Sequence, residues 1–438
     1  MGRQNVTVGC GAGFAGDRIE PAVELASSGL VDWVALECLA ERTLVGGLMA
    51  READPGRGFD PRLVRRLTPL LPAAADSGCG IVTNMGAANP IAAGTEVVKL
   101  YRRLGMSPGR VAVVTGDDIS SRLADVDWDG GAPDGGEWIG VHAYLGVSGI
   151  SEAVAGGATV VVTGRVADSA LFAAPVNAHL ELEEDGLAGA LTAGHLLECG
   201  GQLTGGNLTA AGRDLDASDL AALGYPMATV RADGTGVLSV LANKPARLDP
   251  VACTLQLLYE VHDPARYLTP DVALDFTSVR FEELSENRVA MNGARAAGRP
   301  ASLKAVGFYR KPGAMADVEI GFAGSGALSR AGRAADVLCR RLEQLRIEFA
   351  VDIVGVDSIL GVDGSPPGSK PAEVRVHTSA RCPSAEIAQA VEDEVFGLTL
   401  TGPAGGCALR SERRPRVEVV SGTIHRDLID ERVEFLEP

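Results

Sequence analysis

The stretch NVTVGCGAGFAGDRIEPAVELASSG, residues 5–29, shows the local plan on which the prediction of the fold depends. A short apolar run, Val6 to Val8, leads into a glycine-rich polar loop, and a helical pattern follows the loop. The plan recurs at four later apolar runs: Trp33 to Leu36, Ile81 and Val82, Val111 to Val114, and Thr159 to Val162. Continuous apolar strands that alternate with helices are typical of parallel sheets buried on both faces, so the sequence predicts such a sheet.

We therefore expect an α/β protein with an open, doubly wound, mainly parallel sheet that carries helices on both faces. This domain is predicted to span residues 1–355, with a break between two subdomains near residues 175–225, and a smaller C-terminal α/β domain is predicted over residues 356–438. Apolar residues at helical spacing predict a long covering helix within Ser325 to Phe349. The Pro, Gly and Ser content of DGSPPGSKPA, residues 363–372, predicts a linker or long loop.

The composition is that of a chain with a sizeable core, since 46% of its 438 residues are hydrophobic and 22% are charged. A chain of this length has room for two or three domains. The net charge of −17 disfavours contact with nucleic acid and anionic lipid, because the sequence has no long basic run to reverse it. We also expect a homo-oligomer, from the size and apolar content of the chain.

The eight cysteines are scattered and form no C-x-x-C pair, which indicates reduced thiols that mostly fill the core. The first residues do not have the pattern of a secretory signal, and no run approaches the ~20 apolar residues that a membrane span requires. These features predict a cytoplasmic protein that does not associate with membranes.

Ligands of doubly wound sheets bind beyond the carboxyl ends of the strands, where the loops converge. Each of the five loops in this sequence brings charged or amide side chains to that edge. We assign catalysis to two of the acids, Glu37 and Asp117. The substrate-binding residues assigned to the same edge are Asp17, Arg18, Asn84, Asn89, Arg165 and Asp168.

Two pairs of these residues allow a second interpretation. Asp117 and its neighbour Asp118 would chelate Mg²⁺, since hard cations prefer carboxylate oxygen, or Asp118 would cap the following helix. Arg165 would hold a substrate carboxylate with its planar guanidinium, or would close its turn by pairing with Asp168. A serine hydrolase is not indicated, because the sequence lacks a Gly-x-Ser-x-Gly turn between a strand and a helix.

A glycine pattern, Gly11-x-Gly13-x-x-Gly16, follows the first strand and precedes the first helix. Together with Glu37, about 20 residues further on, it has the spacing of a dinucleotide fingerprint, in which backbone amides face a pyrophosphate. The same glycines would also serve as an oxyanion or phosphate cradle, or as a simple tight turn. No cofactor is strongly indicated, and coenzyme A would enter as part of a substrate.

A second concentration of polar groups lies further along the chain. His195, Glu198 and Cys199 share one face of a helix, where they would hold a metal, perform acid–base chemistry or pack at the helix end. We assign catalysis to His195 and Glu198, because histidine titrates near neutral pH and a carboxylate partner fixes its tautomer. Cys199 is predicted to point into the core, and no metal is assigned. The glycine-rich turn that follows supplies further substrate-binding residues: Gln202, Thr204, Gly205, Gly206 and Asn207.

Several of these motifs resemble one known family. AYLGVSGISEAVAGGATVVVTGRVADSALF (143–172) and AGHLLECGGQLTGGN (193–207) are similar to the most diagnostic stretches of the acyclic terpene utilisation protein A family, known as AtuA. The similarity extends, in chain order, to shorter motifs: CLAERTL (38–44), TNMGAANP (83–90), VVTGDD (113–118) and QLLYEVHDPARYLTPDV (256–272). The C-terminal part of the chain matches less distinctly.

The resemblance implies metabolism of acyl-CoA thioesters or small branched carboxylic acids, and it supplies no catalytic residues or mechanism. We therefore expect a cytoplasmic enzyme that moves protons on a carboxylate or CoA thioester, as a lyase, hydratase or isomerase does. One alternative is a non-catalytic binding or assembly subunit that docks onto another enzyme of a pathway. An enzyme with a nucleotide cofactor is a third interpretation.

Overall fold

The computed structural model describes residues 3–107, 109–207, 215–361 and 371–437. The chain forms two compact units, and the predicted boundary after residue 355 lies inside the second of them. The predicted linker at residues 363–372 lies largely outside the described residues. The first unit comprises Met1–Ala132, Ile139–Phe308 and Val419–Pro438, and the second comprises Pro133–Trp138 and Tyr309–Glu418.

The described residues form strands and helices with the following bounds. The strands are β1 (Asn5–Ala12), β2 (Trp33–Leu36), β3 (Gly80–Thr83), β4 (Val111–Thr115), β5 (Asp127–Trp128), β6 (Glu137–Ala143), β7 (Val160–Thr163), β8 (Met227–Arg231), β9 (Gly236–Ser239), β10 (Tyr267–Leu268), β11 (Ala273–Asp275), β12 (Arg280–Ser285), β13 (Arg288–Asn292), β14 (Arg295–Ala296), β15 (Ser302–Ala323), β16 (Glu348–Val354), β17 (Glu373–Cys382), β18 (Cys407–His425) and β19 (Arg432–Leu436). The helices are α1 (Glu20–Ser27), α2 (Glu41–Ala53), α3 (Leu63–Ser77), α4 (Pro90–Arg103), α5 (Ser148–Ala155), α6 (Asp168–Leu180), α7 (Glu184–Leu197), α8 (Ala217–Ala221), α9 (Pro250–Leu257), α10 (Ala327–Glu343) and α11 (Ala385–Thr401). Short 3₁₀ helices lie at Ser120–Asp125, Gly200–Gln202 and Arg426–Leu428.

The first unit contains a ten-stranded sheet with the order β12-β13-β9-β8-β1-β2-β3-β7-β4-β19. Its five central strands run parallel to one another, and they contain the five apolar runs from which the sheet was predicted, apart from Thr159, which precedes β7. The four strands on one side and β19 on the other join the sheet through antiparallel pairs. The sheet is therefore mixed, and the prediction of a mainly parallel, doubly wound fold is wrong.

Short connections explain much of the antiparallel side of this sheet, because a parallel neighbour requires a crossover of about a dozen residues. Residues 232–235 alone join β8 to β9, and Gly234 in that turn has a φ of +79°. Residues 286–287 alone join β12 to β13, and Asn287 has a φ of +54°. Hairpins of this length place consecutive strands side by side in opposite directions.

Helices pack on both faces of the central strands. Val8 and Cys10 of β1 belong to a core that residues of α5, α6 and α7 complete. Ala12 of the same strand belongs to a second core, which contains residues of α1, α3 and α4. Because both faces are buried, polar side chains that approach these strands are found at the strand ends.

In the second unit, α10 and α11 pack on a sheet with the strand order β16-β17-β15-β18. β17 pairs antiparallel with both β15 and β16. Every second side chain from Ala314 to Phe322 is buried against the helices, which is the period of a strand with one covered face. α10 confirms the long helix predicted within Ser325 to Phe349. In the described ranges, no helix is both long enough and apolar enough to cross a membrane.

Candidate active site

The carboxyl ends of the central strands bring polar side chains of separate loops into direct contact. Glu37 follows β2 and Asn84 follows β3, and Asn84 Nδ2 donates to Glu37 Oε1 over 3.0 Å. The Leu39 amide donates to the same oxygen over 2.8 Å. Asn84 Oδ1 accepts from the Cys38 amide over 2.7 Å. Glu37 and Asn84 are both buried, and these hydrogen bonds fix their positions relative to each other.

The protonation of Glu37 is strongly perturbed. Burial raises its pKa from 4.5 to about 8, and the negative charge of Asp168 adds to the rise against the opposing effects of Arg165, Leu39 and Asn84. Two donors hold Oε1, whereas no described residue forms a hydrogen bond with Oε2. Glu37 therefore keeps a proton near neutral pH and has one oxygen with which to offer it to a ligand.

Arg165 ties the loop after β7 to the loop after β2. Its side chain is buried and donates to the carbonyl oxygens of Leu39 and Val166. It also donates to the Asp168 carboxylate and lies over the Tyr144 ring, 4.5 Å from the ring centroid. Arg165 was predicted either to hold a substrate carboxylate or to pair with Asp168, and the structure contains the pair with Asp168. The Arg165 guanidinium is largely occupied by these protein groups.

Asp117 and Asp118, which follow β4, point to different environments. Asp117 is buried, and its Oδ2 atom accepts from the Arg165 amide over 2.8 Å and from His142 Nδ1 over 2.9 Å. Asp118 is exposed, accepts from the Ser120 amide over 3.1 Å and pairs with Arg51, but Ile119 occupies the N-cap position of the following 3₁₀ helix, so Asp118 is not its cap. Within the described ranges, no group of three or more His, Cys, Asp or Glu side chains is arranged to hold a metal ion.

The three glycines of the predicted fingerprint are required for close packing. A Cβ atom on Gly11, inside β1, would lie 2.5 Å from the Leu36 side chain. A Cβ atom on Gly13 would lie 2.6 Å from the backbone carbonyl carbon of Cys199, and one on Gly16 would meet the ring of Phe14. All three glycines therefore have a packing role, which agrees with the tight-turn interpretation; the predicted phosphate or oxyanion cradle stays a prediction.

Asp17, Arg18 and Asn89 also have protein partners. Asp17 accepts from the Gly13 amide over 2.8 Å and from the Tyr225 hydroxyl, so the amide that a phosphate would require is already engaged. The Arg18 guanidinium donates to the carbonyl oxygens of residues 220 and 221. Asn89 caps α4 and donates to the carbonyl oxygens of residues 55 and 57. These three residues were predicted to bind substrate, and in the structure their side chains bind other parts of the protein.

His195 and Glu198 form the pair that their spacing predicted, at the C-terminal end of α7. His195 Nδ1 lies 2.9 Å from Glu198 Oε1, and Nε2 donates to the Leu257 carbonyl oxygen over 3.2 Å. The imidazole is buried and forms a three-ring cluster with Tyr267 and Phe276, at centroid distances of 5.1 and 5.7 Å. Because both ring nitrogens contact protein groups, His195 positions Glu198, which is the more exposed member of the pair.

The pKa values of the pair are shifted together. Burial lowers the pKa of His195, but the Glu198 charge and hydrogen bond outweigh it, and the net shift is upward. Burial raises the pKa of Glu198, His195 opposes the rise, and the charge of Asp168 adds to it. Burial and then Glu198 raise the pKa of Cys199 to about 12, so its thiol stays neutral.

Asp168 links the two predicted walls of the site. It is the first residue of α6, its side chain is 38% exposed, and its charge raises the pKa values of both Glu37 and Glu198. Gly13, in the loop after β1, packs against the backbone of Glu198 and Cys199. We call Glu37, Asp168 and Glu198 the three-carboxyl cluster.

The glycine-rich turn after α7 is held mainly by its own contacts. Gln202 Nε2 donates to Gln256 Oε1 over 3.0 Å, and Asn207 Nδ2 donates to Gln202 Oε1 over 3.4 Å. Thr204 is buried and donates to the carbonyl oxygens of residues 201 and 224. Gly205 has a φ of +117°, a backbone conformation that favours glycine, and Gly206 would bring a Cβ atom within 2.9 Å of the residue 201 carbonyl oxygen.

Sequence reasoning missed two residues of the site, His142 and Tyr144. His142 donates to Asp117, and the Tyr144 hydroxyl donates to Glu41 Oε1 over 2.7 Å. The Tyr144 ring also lies beneath Lys304, 4.6 Å from its ammonium group. Both residues lie at or just after the end of β6, a strand that was not predicted.

The fold and the site define an α/β protein with a mixed sheet, in which buried, titratable carboxyl groups lie at the carboxyl ends of the parallel strands. The chain belongs to the acyclic terpene utilisation family: the model of the family described as "Acyclic terpene utilisation family protein AtuA" matches residues 6–435. The search of curated proteins finds no match. Among solved structures, the "De novo designed protein Ferredog-Diesel" shares 20% identity and a TM-score of 0.16, over 23% of this chain and 85% of its own.

Proposed function

We propose that the protein is a cytoplasmic enzyme that transfers protons on a small carboxylic acid or its CoA thioester, as a lyase, hydratase or isomerase. The supporting observation is the state of Glu37: a buried carboxyl with a pKa of about 8, one oxygen held by two donors and the other without a partner among the described residues. A carboxyl that is protonated at neutral pH in a fixed position can act as a general acid.

The three-carboxyl cluster supplies an acid and a base with different environments. Glu37 would donate its proton from Oε2 to a carbonyl or leaving-group oxygen of the substrate. Glu198, hydrogen-bonded to His195, would accept a proton from the adjacent carbon, and the electron pair of the C–H bond would move toward the oxygen that Glu37 protonates. His195 would stabilise Glu198 in position, and Arg165 would hold Asp168 near both acids.

A ligand screen followed by an exchange assay tests this proposal. CoA thioesters, free acids and nucleotides would be screened by thermal shift, since a ligand at ~100 times its Kd stabilises the folded state by roughly 2.7 kcal/mol. Each stabilising acid or thioester would then be incubated with the protein in D₂O, and mass spectrometry would measure deuterium uptake next to the carbonyl. We expect uptake with the parent protein and loss of at least about 100-fold in Glu37→Gln and Glu198→Gln.

Glu286→Gln is the matched control, because Glu286 is exposed in the turn between β12 and β13. It should exchange at the parent rate. If an acid binds and the parent protein exchanges no deuterium, or if Glu37→Gln exchanges as fast as the parent, the acid–base proposal is wrong. Binding without exchange would favour the non-catalytic subunit.

A further inference from the structure

A cavity of about 700 Å³ lies in the first unit. It is formed by residues of α2, the segment of residues 57–62 and Ala87 of the loop after β3. Its volume lies in the range of small-molecule binding sites, about 300–1,000 Å³. None of the residues assigned above to catalysis or substrate binding lines it.

Three arginines line this cavity: Arg42, Arg57 and Arg62. The Arg57 Nε atom lies 3.6 Å from the Asp54 carboxylate and the Arg62 guanidinium lies 3.9 Å from Asp60, so both pairs are long. The Arg42 side chain has no hydrogen bond or ion pair with any described residue. Although the chain as a whole has a net charge of −17, three arginines together make the electrostatic potential in the cavity positive, which favours an anion. Guanidinium groups bind phosphate through two parallel hydrogen bonds.

Asp60 gives the cavity a second kind of recognition group. It lines the cavity, yet the residue is only 2% exposed. Its Oδ1 atom accepts from the Arg62 amide over 2.7 Å, whereas Oδ2 is buried and has no hydrogen-bond partner among the described residues. A buried acceptor without a partner is costly, and a hydroxyl or amino group of a ligand would satisfy it.

The remaining lining is small and apolar, with one aromatic ring. Gly47 and Ala50 of α2 contribute to it together with Phe59 and Ala87. Gly47 allows a close approach, since a Cβ atom there would lie 2.7 Å from the Gly58 carbonyl oxygen. A ligand that fits this lining has a flat or apolar part in addition to its anionic and hydroxyl groups.

We propose that this cavity binds a nucleoside phosphate. Its phosphates would contact Arg42, Arg57 and Arg62, a ribose hydroxyl would donate to Asp60 Oδ2, and the base would pack against Phe59 and the small residues of α2. No member of the three-carboxyl cluster lines the cavity, and the proposal does not depend on the acid–base function. It lies apart in sequence from the glycine fingerprint, whose Gly13 amide is occupied by Asp17.

Isothermal titration calorimetry of the full chain with ADP, pyrophosphate and adenosine tests this site. We expect ADP to bind, and Arg42→Glu and Arg57→Glu each to weaken ADP binding by roughly tenfold or more, because each removes charge-assisted hydrogen bonds to phosphate. Asp60→Asn should weaken ADP while pyrophosphate binds as before, because pyrophosphate has no hydroxyl for Oδ2. Arg65→Glu is the matched control, since Arg65 is exposed on α3 and does not line the cavity.

Arg42 and Arg57 are exposed, so Arg42→Glu and Arg57→Glu should fold even if replacing the buried Asp60 prevents folding. If ADP fails to bind the parent protein, the proposal is overturned. The same holds if Arg42→Glu binds ADP as tightly as the parent, or if Arg65→Glu loses as much affinity as the cavity variants. Equal losses of ADP and pyrophosphate binding in a folded Asp60→Asn protein would overturn the ribose contact.

Discussion

Replacing Glu37 by Gln should stabilise the protein at neutral pH, and the stabilisation should disappear in acid. Glutamine has the shape of a protonated glutamate, and its oxygen can accept the hydrogen bonds from the Leu39 amide and Asn84 that Glu37 Oε1 accepts. It cannot ionise. The variant therefore isolates the cost of burying a carboxyl group whose pKa rises from 4.5 to about 8 on folding.

The size of the effect follows from proton linkage. Because the folded pKa of Glu37 is raised, the unfolded carboxyl loses its proton at a pH where the folded one keeps it, and stability falls as the pH rises from 4.5 to about 8. Each pH unit in that window costs about 1.4 kcal/mol. At pH 7 the parent protein should be less stable than Glu37→Gln by roughly 3 kcal/mol, and below pH 4 the two should be equal within error.

Thermal unfolding of both proteins between pH 4 and 8 measures this difference. A change of roughly 3 kcal/mol corresponds to several degrees in Tm for a domain of this size. The difference in Tm should be near zero in acid and grow with pH, whereas Glu286→Gln should show no such trend. A difference that does not change with pH, or a Glu37→Gln protein that is less stable at pH 7, would mean that the folded carboxyl is ionised and that the reasoning is wrong.

Three further changes have expected outcomes. Gly13→Ala should destabilise the protein by about 1–3 kcal/mol in chemical denaturation, because its Cβ atom would lie 2.6 Å from the Cys199 backbone. Asp168→Asn should move the pH dependence of deuterium exchange to lower pH, because the Asp168 charge raises the pKa values of both Glu37 and Glu198. His195→Gln should abolish exchange in a folded protein, whereas Cys199→Ala should retain most of it, because the Cys199 thiol is neutral and His195 holds Glu198.

Gly332→Ala, on α10, has no atom within 4 Å of the new Cβ and should be neutral or slightly stabilising, so an equal loss in both glycine variants would remove the packing argument. An unchanged or upward-shifted pH profile in the Asp168 variant would exclude its electrostatic role. Equal losses in the His195 and Cys199 variants, with recovery on added metal, would favour the metal interpretation of that helix face.

The central strands of the fold were predictable from the sequence, and the flanks of the sheet were not. The apolar residues of the runs at 6–8, 33–36, 81–82, 111–114 and 160–162 lie in parallel strands, because burial on both faces leaves a continuous apolar signal. β8 and β9 carry a weaker alternating signal. β18 contains the charged run RSERRPR, whose composition does not indicate a strand. The antiparallel flanks were therefore missed.

The period-two pattern of Ala314 to Phe322 was readable in the sequence. Counting the apolar residues at alternate positions there would have predicted a strand of the sheet in the second unit. It would also have moved the predicted domain boundary toward the start of that unit, at Tyr309.

The candidate site was also predictable only in part. The strand-end rule brought Glu37, Asn84, Asp117 and Arg165 to one edge, and helical spacing predicted the contact between His195 and Glu198. Spacing alone does not reveal which polar groups are already occupied. The Gly13 amide and the Arg165 guanidinium bind groups of the protein itself, and those partners become visible only in three dimensions.

Titration of the Glu37 carboxyl shows whether this group keeps its proton in the folded protein at neutral pH. Infrared difference spectra of the parent protein against Glu37→Gln, recorded in steps from pH 5 to 9, separate the carbonyl band of a protonated carboxyl from the bands of a carboxylate. We expect a protonated band at pH 7 that is present in the parent, missing from the variant and lost with a midpoint near pH 8. A Glu37 signal that is already fully carboxylate at pH 6 would contradict it.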